Sequence, residues 1–176
     1  QTQLDVNAIA QGYSVDIVAR YLESLGIFNY LVEIGGEVRA SGTKPNEENW
    51  SVGIDVPKEG SSETRELAMS VSLSNRSLAT SGNYRKFVEI NGVKYGHSLN
   101  PLSGYPAKTD VLSATIIAED CMTADALATA CMVMGFERAK ELIETTEFIE
   151  GVLIYSTPSN VETWISDGVK ADRNVQ

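Results

Sequence analysis

Hydrophobic residues recur at near-helical spacing in three parts of the chain. The first covers residues 7–25 and is followed by a glycine, which commonly ends a helix. Asp5 and Asn7 are both suitable caps for its first turn. Residues 121–135, rich in Ala, Met and Leu and closed by glycine, predict a second helix. Residues 136–146 predict a third helix, which is amphipathic.

Alternating and β-branched runs between these helices predict strands. The clearest pair surrounds Asn91-Gly92, a dipeptide typical of the tight type I′ turn of a hairpin. Because strands and helices do not alternate as regular βαβ units, the sequence predicts an α+β fold with a mixed, largely antiparallel sheet and packed helices. The other predicted strands are IFNYLVEI, EVRASG, NWSVGIDVP, LAMSVSLSNRSLATSG (one or two strands), VLSATIIAE, and the hairpin-like pair VLIYSTP and ETWISDG.

The chain is acidic, with 14 Lys and Arg residues against 24 Asp and Glu residues and a formal net charge of −10. Such a chain repels phosphate backbones unless it carries a local basic patch, and its sequence contains none. This argues against nucleic-acid binding. An anionic nucleotide would need help from a metal ion or from backbone N–H groups. Hydrophobic residues make up 43% of the chain and supply ample material for a core.

The two cysteines, Cys121 and Cys131, lie in one predicted helix. Ten residues of helix rise about 15 Å, too far for a disulfide, so both are expected to be small buried residues or free thiols. The sequence has no His/Cys cluster with zinc spacing and no P-loop or Rossmann glycine motif. Any nucleotide site must therefore use another scaffold.

A carboxylate and a hydroxyl share one face of the second predicted helix. Asp125 and Thr129 are four residues apart, so both can point at one ion. Hard cations such as Mg²⁺ prefer oxygen ligands and often bridge to substrate phosphates. The alternative is a solvated Asp and a Thr that packs against its own turn. The small apolar residues around Asp125 favour a partnered carboxylate if it is buried.

The segment DVNAIAQGYSVD begins the first helix, and a helix N-terminus offers free N–H groups to a phosphate. Gly12 inside this helix costs about 1 kcal/mol relative to Ala, which suggests that something packs closely against the backbone. The equally weighted alternative is a helix–helix crossing at Gly12, with Asp5 acting only as a cap.

Two further segments contain glycine beside polar or strand-forming residues. Gly35-Gly36 separates two predicted strands and indicates a tight turn or a close approach of backbone. In ATSGNY, Thr80 and Ser81 are candidate hydrogen-bond donors to a ligand, and the alternative is an ordinary turn at the end of a strand.

The only histidine, His97, begins the turn-rich stretch HSLNPLSGYP. Histidine titrates near neutral pH and often transfers protons. The alternative is a side chain that simply satisfies a carbonyl group in the core. No Ser-His-Asp or Cys-His set follows from the order of residues.

Five motifs in one order identify a resemblance. DVNAIAQGYSVD, LVEIGGEVRASG, ATSGNYRKF, YGHSLNPLSGYP and MTADALATACMVMG together resemble the ApbE family of FAD:protein FMN transferases, from about residue 5 to residue 135. The resemblance implies transfer of the FMN moiety of FAD to a threonine hydroxyl of a target protein, with AMP as the leaving group. It also implies that Mg²⁺ spans the FAD pyrophosphate and supplies the positive charge that this chain lacks.

The resemblance also implies roles for residues in the two helices. Asp125 and Thr129 would bind the metal together with the backbone carbonyl of Ala8. Asp5 and Gln11 fall at FAD-contacting positions, and Gln11 stands where many members have Lys or Glu.

The same resemblance implies roles for the loops. Gly35 and Gly36 would form a close-approach turn beside the cofactor. His97 would transfer a proton or fix the phosphate, and Leu99 with its neighbours would line the flavin pocket. Asn100 stands where many members carry Asp.

Family proteins are about twice this length, so residues 1–176 are expected to be the C-terminal portion of such a protein, with the remainder before Gln1. The remainder would carry a lipoprotein signal and anchor the protein on the periplasmic side of the inner membrane. The sequence leaves two alternatives open: a Mg²⁺-dependent FAD pyrophosphatase that yields FMN and AMP, and a flavin-binding fragment without catalysis.

Overall fold

The computed structural model describes residues 4–55, 67–82, 87–90, 93–96, 99–107 and 109–172. Its helices are α1 (Asn7–Ser24), α2 (Cys121–Met134) and α3 (Phe136–Thr145). Its strands are β1 (Tyr30–Ile34), β2 (Glu37–Ser41), β3 (Trp50–Asp55), β4 (Leu67–Leu73), β5 (Arg76–Gly82), β6 (Phe87–Ile90), β7 (Val93–Gly96), β8 (Val111–Ala118), β9 (Glu150–Ser156), β10 (Val161–Ile165) and β11 (Ala171–Asp172).

The described strands form three sheets. Six strands make the main sheet in the order β1-β2-β5-β8-β9-β10, three make a second sheet in the order β11-β4-β3, and β6 pairs with β7. Each pairing between described strands is antiparallel. The predicted α+β fold with a largely antiparallel sheet is therefore confirmed. The two-residue strand β11 carries too little pattern to be predicted.

The main sheet lies between two apolar layers because successive residues of a strand point to opposite faces. On one face, Ile116 of β8 packs with Ala128 of α2 and Ile143 of α3. On the other face, its neighbour Ile117 packs with Leu73 of the three-stranded sheet. The near-continuous burial of β8 follows from this position between the two layers.

Helix α1 begins at the predicted residue, ends one residue earlier than predicted, and differs in its caps. Asp5 Oδ1 accepts a hydrogen bond of 2.8 Å from the Asn7 N–H, so Asp5 serves the first turn and Asn7 is the first helical residue rather than a cap. At the other end, the N–H groups of Gly26 and Ile27 donate to carbonyls of the last turn, with Gly26 at a φ of 79°. This is the Schellman arrangement, and it delays β1, which begins at residue 30 rather than 27.

Both cysteines are buried free thiols, as predicted. Burial raises the pKa of the Cys131 thiol to about 11 and that of the Cys121 thiol further. Neither thiol is therefore a ready nucleophile. None of the helices in the described residues has the length and apolar character needed to span a membrane.

Candidate functional site

The candidate site is built where α1 crosses α2. A Cβ atom on Gly12 would lie 2.3 Å from the carbonyl oxygen of Cys121 and 2.9 Å from the Cβ of Asp125, so only glycine permits this approach. The Gly12 N–H donates to Asp125 Oδ2 over 3.0 Å. The crossing that the sequence left as one of two possibilities is present, and it carries a candidate functional carboxylate.

A second carboxylate, Asp16, joins the two helices at the crossing. Its Oδ1 accepts from the Cys121 N–H at 3.0 Å and its Oδ2 from the Met122 N–H at 2.9 Å. Arg39 of β2 donates to Oδ1 over 2.9 Å, so one fully buried side chain joins α1, α2 and the main sheet. Asp120 caps the same end of α2 by accepting from the Thr123 N–H. The first turn of α2 therefore has its N–H groups satisfied within the protein.

The three predicted metal ligands lie around the Gly12–Asp125 contact. In a helix, the Gly12 N–H faces the carbonyl of Ala8 one turn earlier, so an oxygen bonded to that N–H lies within about 6 Å of the carbonyl oxygen. Thr129 follows Asp125 by one turn of α2. Its hydroxyl is 3.2 Å from that of Ser81 on β5. A carboxylate, a hydroxyl and a main-chain carbonyl thus share one corner of the molecule.

Burial and one hydrogen bond act in opposite directions on the pKa of the Asp125 carboxyl. The side chain is buried, and this burial raises its pKa, while the hydrogen bond from Gly12 lowers it. Within the described ranges, no group of three or more His, Cys, Asp or Glu side chains has the geometry of a metal site. The oxygen donors fit a hard cation that takes few protein ligands and completes its shell with water and phosphate.

The turn between β1 and β2 brings three predicted cofactor-binding residues together. Gly35 and Gly36 have φ angles of 66° and 112°, a backbone conformation that favours glycine. The Gln11 side chain of α1 lies so close to Gly35 that a Cβ there would overlap its amide nitrogen. Glu33 accepts a hydrogen bond of 3.0 Å from the Gly36 N–H and holds the turn.

Glu37 lies directly after this turn and is 8% exposed. Its Oε2 has no hydrogen-bond partner among the described residues. The pKa of this carboxyl is raised to about 7, mainly by burial and in smaller part by the charges of Asp125 and Glu33. A carboxyl group that is protonated in about half of the molecules near pH 7 therefore follows the turn.

The loop of residues 99–107 closes the other side of the site. The Asn100 side chain accepts a hydrogen bond of 2.9 Å from the Leu102 N–H, and the Asn100 N–H donates to the Tyr105 carbonyl over 2.8 Å. Leu99 bridges to Pro106 at the base of the loop and remains 60% exposed. Asn100 thus shapes the loop through its oxygen, a task that an aspartate would perform equally well.

A cavity of about 310 Å³ separates this loop from α2. Its walls are mostly apolar, with the Thr129 hydroxyl on one side and the Arg138 side chain of α3 on another. The cavity is lined by Asn100, Pro101, Leu102, Ala126, Thr129, Ala130, Val133, Met134 and Arg138.

Two predicted site residues, Thr80 and Asp5, make their hydrogen bonds with residues other than those of this corner. The Thr80 hydroxyl is 2.8 Å from that of Thr115 on β8. Strand alternation points Thr80 to the sheet face away from α2, so its neighbour Ser81 lies beside Thr129 instead. Asp5 uses both carboxylate oxygens on Asn7. His97 lies outside the described residues, and its proposed role stays a prediction.

Sequence reasoning missed Asp16, Glu37 and Arg138. Asp16 had a visible signal, since it stands beside Val15 on the face of α1 that also buries Gly12 and Ala19. A carboxylate on a buried helix face needs partners. Glu37 and Arg138 carried no such signal, because their surroundings come from segments far away in the chain.

Comparisons with known proteins identify the family of this chain. The sequence model of the ApbE family matches residues 1–153. The FAD:protein FMN transferase of Vibrio cholerae serotype O1 is 38% identical over 167 residues, which cover 95% of this chain and 49% of that protein. The solved flavin transferase ApbE from Vibrio cholerae is 38% identical, covers 93% of this chain and 50% of its own, and superposes with a TM-score of 0.79.

A second solved structure gives the same result. The apo form of the flavinyl transferase ApbE from Pseudomonas stutzeri is 36% identical, with a TM-score of 0.79 over 94% of this chain and 50% of that chain. The chain therefore spans about half the length of the relatives it matches. Sequence, fold and motif order agree, and this chain belongs to the ApbE family.

Proposed function

We propose that this protein binds FAD with Mg²⁺ at the α1–α2 crossing and transfers the FMN moiety to a threonine hydroxyl of a target protein. The observation that carries the proposal is the Gly12–Asp125 hydrogen bond. This bond joins Asp125 to α1 one turn after Ala8, and Thr129 follows Asp125 by one turn of α2. The relatives named as FAD:protein FMN transferases share this part of the fold and support the choice of substrate.

Charge supports the need for a cation. The chain has a net charge of −10 and would repel a pyrophosphate on its own. Mg²⁺, when bound, would supply the positive charge that steadies the pyrophosphate and the departing AMP. Asp125, Thr129 and the Ala8 carbonyl would hold it, and the buried Asp125 would regain a full negative charge beside it.

The reaction exchanges one phosphorus–oxygen bond for another. The threonine oxygen would attack the phosphorus on the FMN side of the pyrophosphate, the bond to the AMP oxygen would break, and the hydroxyl proton would pass to a base. His97 is the proposed proton acceptor. The chain would orient FAD for this attack. Gln11 and the Gly35-Gly36 turn would border the cofactor on one side, and the loop of residues 99–107 would border it on the other.

The lining of the apolar cavity beside Thr129 is suited to a flat aromatic group such as the flavin of FAD. Leu102, Ala130 and Val133 line this cavity together with Thr129, one of the proposed metal ligands. Apolar walls with a few polar groups are typical of sites that bind small molecules and cofactors. Arg138 at the rim offers a cation to a phosphate or carboxylate.

The test substitutes the metal-binding carboxylate. We expect Asp125→Ala to weaken Mg²⁺-dependent FAD binding and FMN transfer by on the order of 100-fold or more, because one ligand and one charge are lost. Binding is followed by flavin fluorescence with Mg²⁺ or with a chelator, and transfer by the intact mass of an acceptor protein. Asp167→Ala, which removes an exposed carboxylate from the turn after β10, is the matched control.

The products separate the possible activities. An acceptor that gains the mass of FMN supports the transferase, and free FMN without an acceptor supports the pyrophosphatase. Full activity in Asp125→Ala would exclude the proposed metal site. An unmodified chain that binds no FAD in the presence of Mg²⁺ would exclude both activities for residues 1–176.

A location on the periplasmic side of the inner membrane, with a lipid anchor, is part of the same proposal and rests on the motif resemblance alone. Fractionation of cells and labelling of the lipid would test it.

A further inference from the structure

The face of α1 that points away from the site is apolar. Tyr13, Ile17, Tyr21 and Leu25 follow one another at intervals of four residues, and Val6 precedes them on the same side. Their side chains are 44–63% exposed. These five residues are called the outer α1 surface below. The opposite face of α1 buries Gly12, Val15, Asp16 and Ala19 against α2 and the main sheet.

A helix with apolar residues on both faces is typical of a helix that is covered on both sides. α3 shows the contrast within the same chain. It buries Ala139 and Ile143, and turns charged residues such as Glu141 and Glu144 to solvent. α1 therefore has the composition of an internal helix, with one side uncovered in the described residues.

We infer that the outer α1 surface is the docking surface for the half of the ApbE fold that residues 1–176 do not span. The relatives carry about as much chain again as this one: the matched part is 49% of the Vibrio cholerae protein and 50% of the solved Pseudomonas stutzeri chain. None of the five residues is charged, and among the described residues the one cation that an aromatic ring of this surface contacts is Arg20, whose guanidinium carbon lies 5.9 Å from the ring centre of Tyr13. The complementary surface is therefore mainly apolar rather than basic or nucleic acid.

Two neighbouring features extend the surface in the same direction. Ile27 and Phe28, which connect α1 to β1, are 42% and 62% exposed. β1 is an edge strand of the main sheet, and its outer side pairs with no other described strand. An apolar helix face beside an open sheet edge offers a second half both a surface to cover and an edge to meet.

The outer α1 surface and part of the candidate site lie on the same helix. Ala8, Gln11 and Gly12 belong to the helix that carries the outer α1 surface. The other half of the fold, docked on this surface, would pack against the side of α1 opposite α2. It would also border the corner proposed to bind the cofactor. Covering this helix would therefore stabilise the crossing with α2 as well as hide apolar area.

The experiment compares residues 1–176 alone with a fusion that places the unmatched half of the Vibrio cholerae relative ahead of them. Hydroxyl-radical footprinting reads the exposure of each aromatic residue. In the chain alone, Tyr13 and Tyr21 should react freely. In the fusion, their rates should fall about fivefold or more, while Phe148, which is 75% exposed beyond α3, should keep its rate.

Two results would overturn the inference. The first is an unchanged rate at Tyr13 and Tyr21 in a fusion that unfolds cooperatively. The second is protection in the chain alone that disappears on dilution, because the surface would then belong to a second copy of this chain.

A substitution gives an independent reading. Ile17→Asp should leave the Tm of the chain alone nearly unchanged and lower that of the fusion by about 4 °C or more, since only the fusion would bury the charge. Val161→Asp on β10, also at an exposed apolar residue, should change the Tm by the same amount in the chain alone and in the fusion. If the fusion fails to fold, the aligned position of the intact Vibrio cholerae relative takes the same substitution, and an unchanged Tm there contradicts the inference.

Discussion

Charged side chains are buried at the α1–α2 crossing and exposed to solvent on α3. At the crossing, Asp16 and Asp125 are buried and accept hydrogen bonds from backbone N–H groups of the partner helix. On α3, Lys140 and Glu144 form an ion pair of 3.8 Å at the surface, where solvent screens it. The difference shows which carboxylates depend on tertiary structure, and it predicts where single substitutions will be costly.

The largest effect should come from Asp16→Ala. The substitution leaves Nη1 of Arg39 and two N–H groups of α2 without their acceptor, while Arg39 keeps its 3.7 Å ion pair with Glu23. We expect a loss of about 3 kcal/mol or more in the free energy of unfolding. Glu144→Ala removes a carboxylate from the exposed pair on α3 and should cost less than about 0.5 kcal/mol. Urea denaturation of the two variants measures both. Similar losses would contradict the contrast between the regions.

Gly12→Ala should have the next largest effect. Glycine to alanine in an ordinary exposed helix gains about 1 kcal/mol. Here the added methyl group would overlap the Cys121 carbonyl and press on Asp125, so we expect a loss of about 2–3 kcal/mol instead. Ser14→Ala, two residues later on the exposed side of α1, should change stability by less than about 0.5 kcal/mol. Thermal unfolding checks the sign, and a stabilised Gly12→Ala variant would mean that the helices do not meet there.

The smallest effect of the three concerns Glu37 and depends on pH. Its pKa is about 7 in the folded chain against about 4.5 ordinarily, so the folded state holds the proton more tightly. Below pH 4.5 both states are protonated and nothing is lost. As pH rises from 4.5 to 7 the unfolded state ionises first, and the folded state loses about 2 kcal/mol of relative stability.

Glu37→Gln should remove this loss. We expect the variant to gain about 2 kcal/mol relative to the unmodified chain between pH 5 and pH 8, measured by urea denaturation with a chelator present. Glu144→Gln on α3 serves as the control and should show no such gain. A difference between Glu37→Gln and the unmodified chain that stays constant with pH would contradict the shifted pKa.

The sequence predicted most of the elements because their signals are local. Periodicity located the three helices of the described residues, with a closing glycine for the first two. The patterns of residues 152–158 and 162–168 predicted the β9–β10 pair, which is present. The start of β1 was predicted three residues early, since the Schellman turn uses the Ile27 N–H to close α1. The hairpin at Asn91-Gly92 has its two strands in the described residues, while the turn itself lies outside them.

The candidate site was predictable where motif spacing alone defines a contact. Asp125 and Thr129 share a helix face in any surroundings, because they are one turn apart. Gly12 predicted that another part of the chain would pack closely against the backbone of α1. The sequence could not say that Ser81 rather than Thr80 would lie beside Thr129, because that choice depends on which face of β5 meets α2. Nor could it show that Oε2 of Glu37 would be buried without a hydrogen-bond partner among the described residues, since β2, α1 and α2 meet only in the folded chain.

The bonds of Asp16 also bear on the order of folding. They connect residues 23 and 105 positions apart along the chain, so they can form only after large loops have closed. Contacts of this range are made late and slow the folding of a domain. The crossing should then exist only in fully folded molecules, and a nucleotide bound there would raise the unfolding temperature of the whole chain in proportion to the logarithm of its concentration.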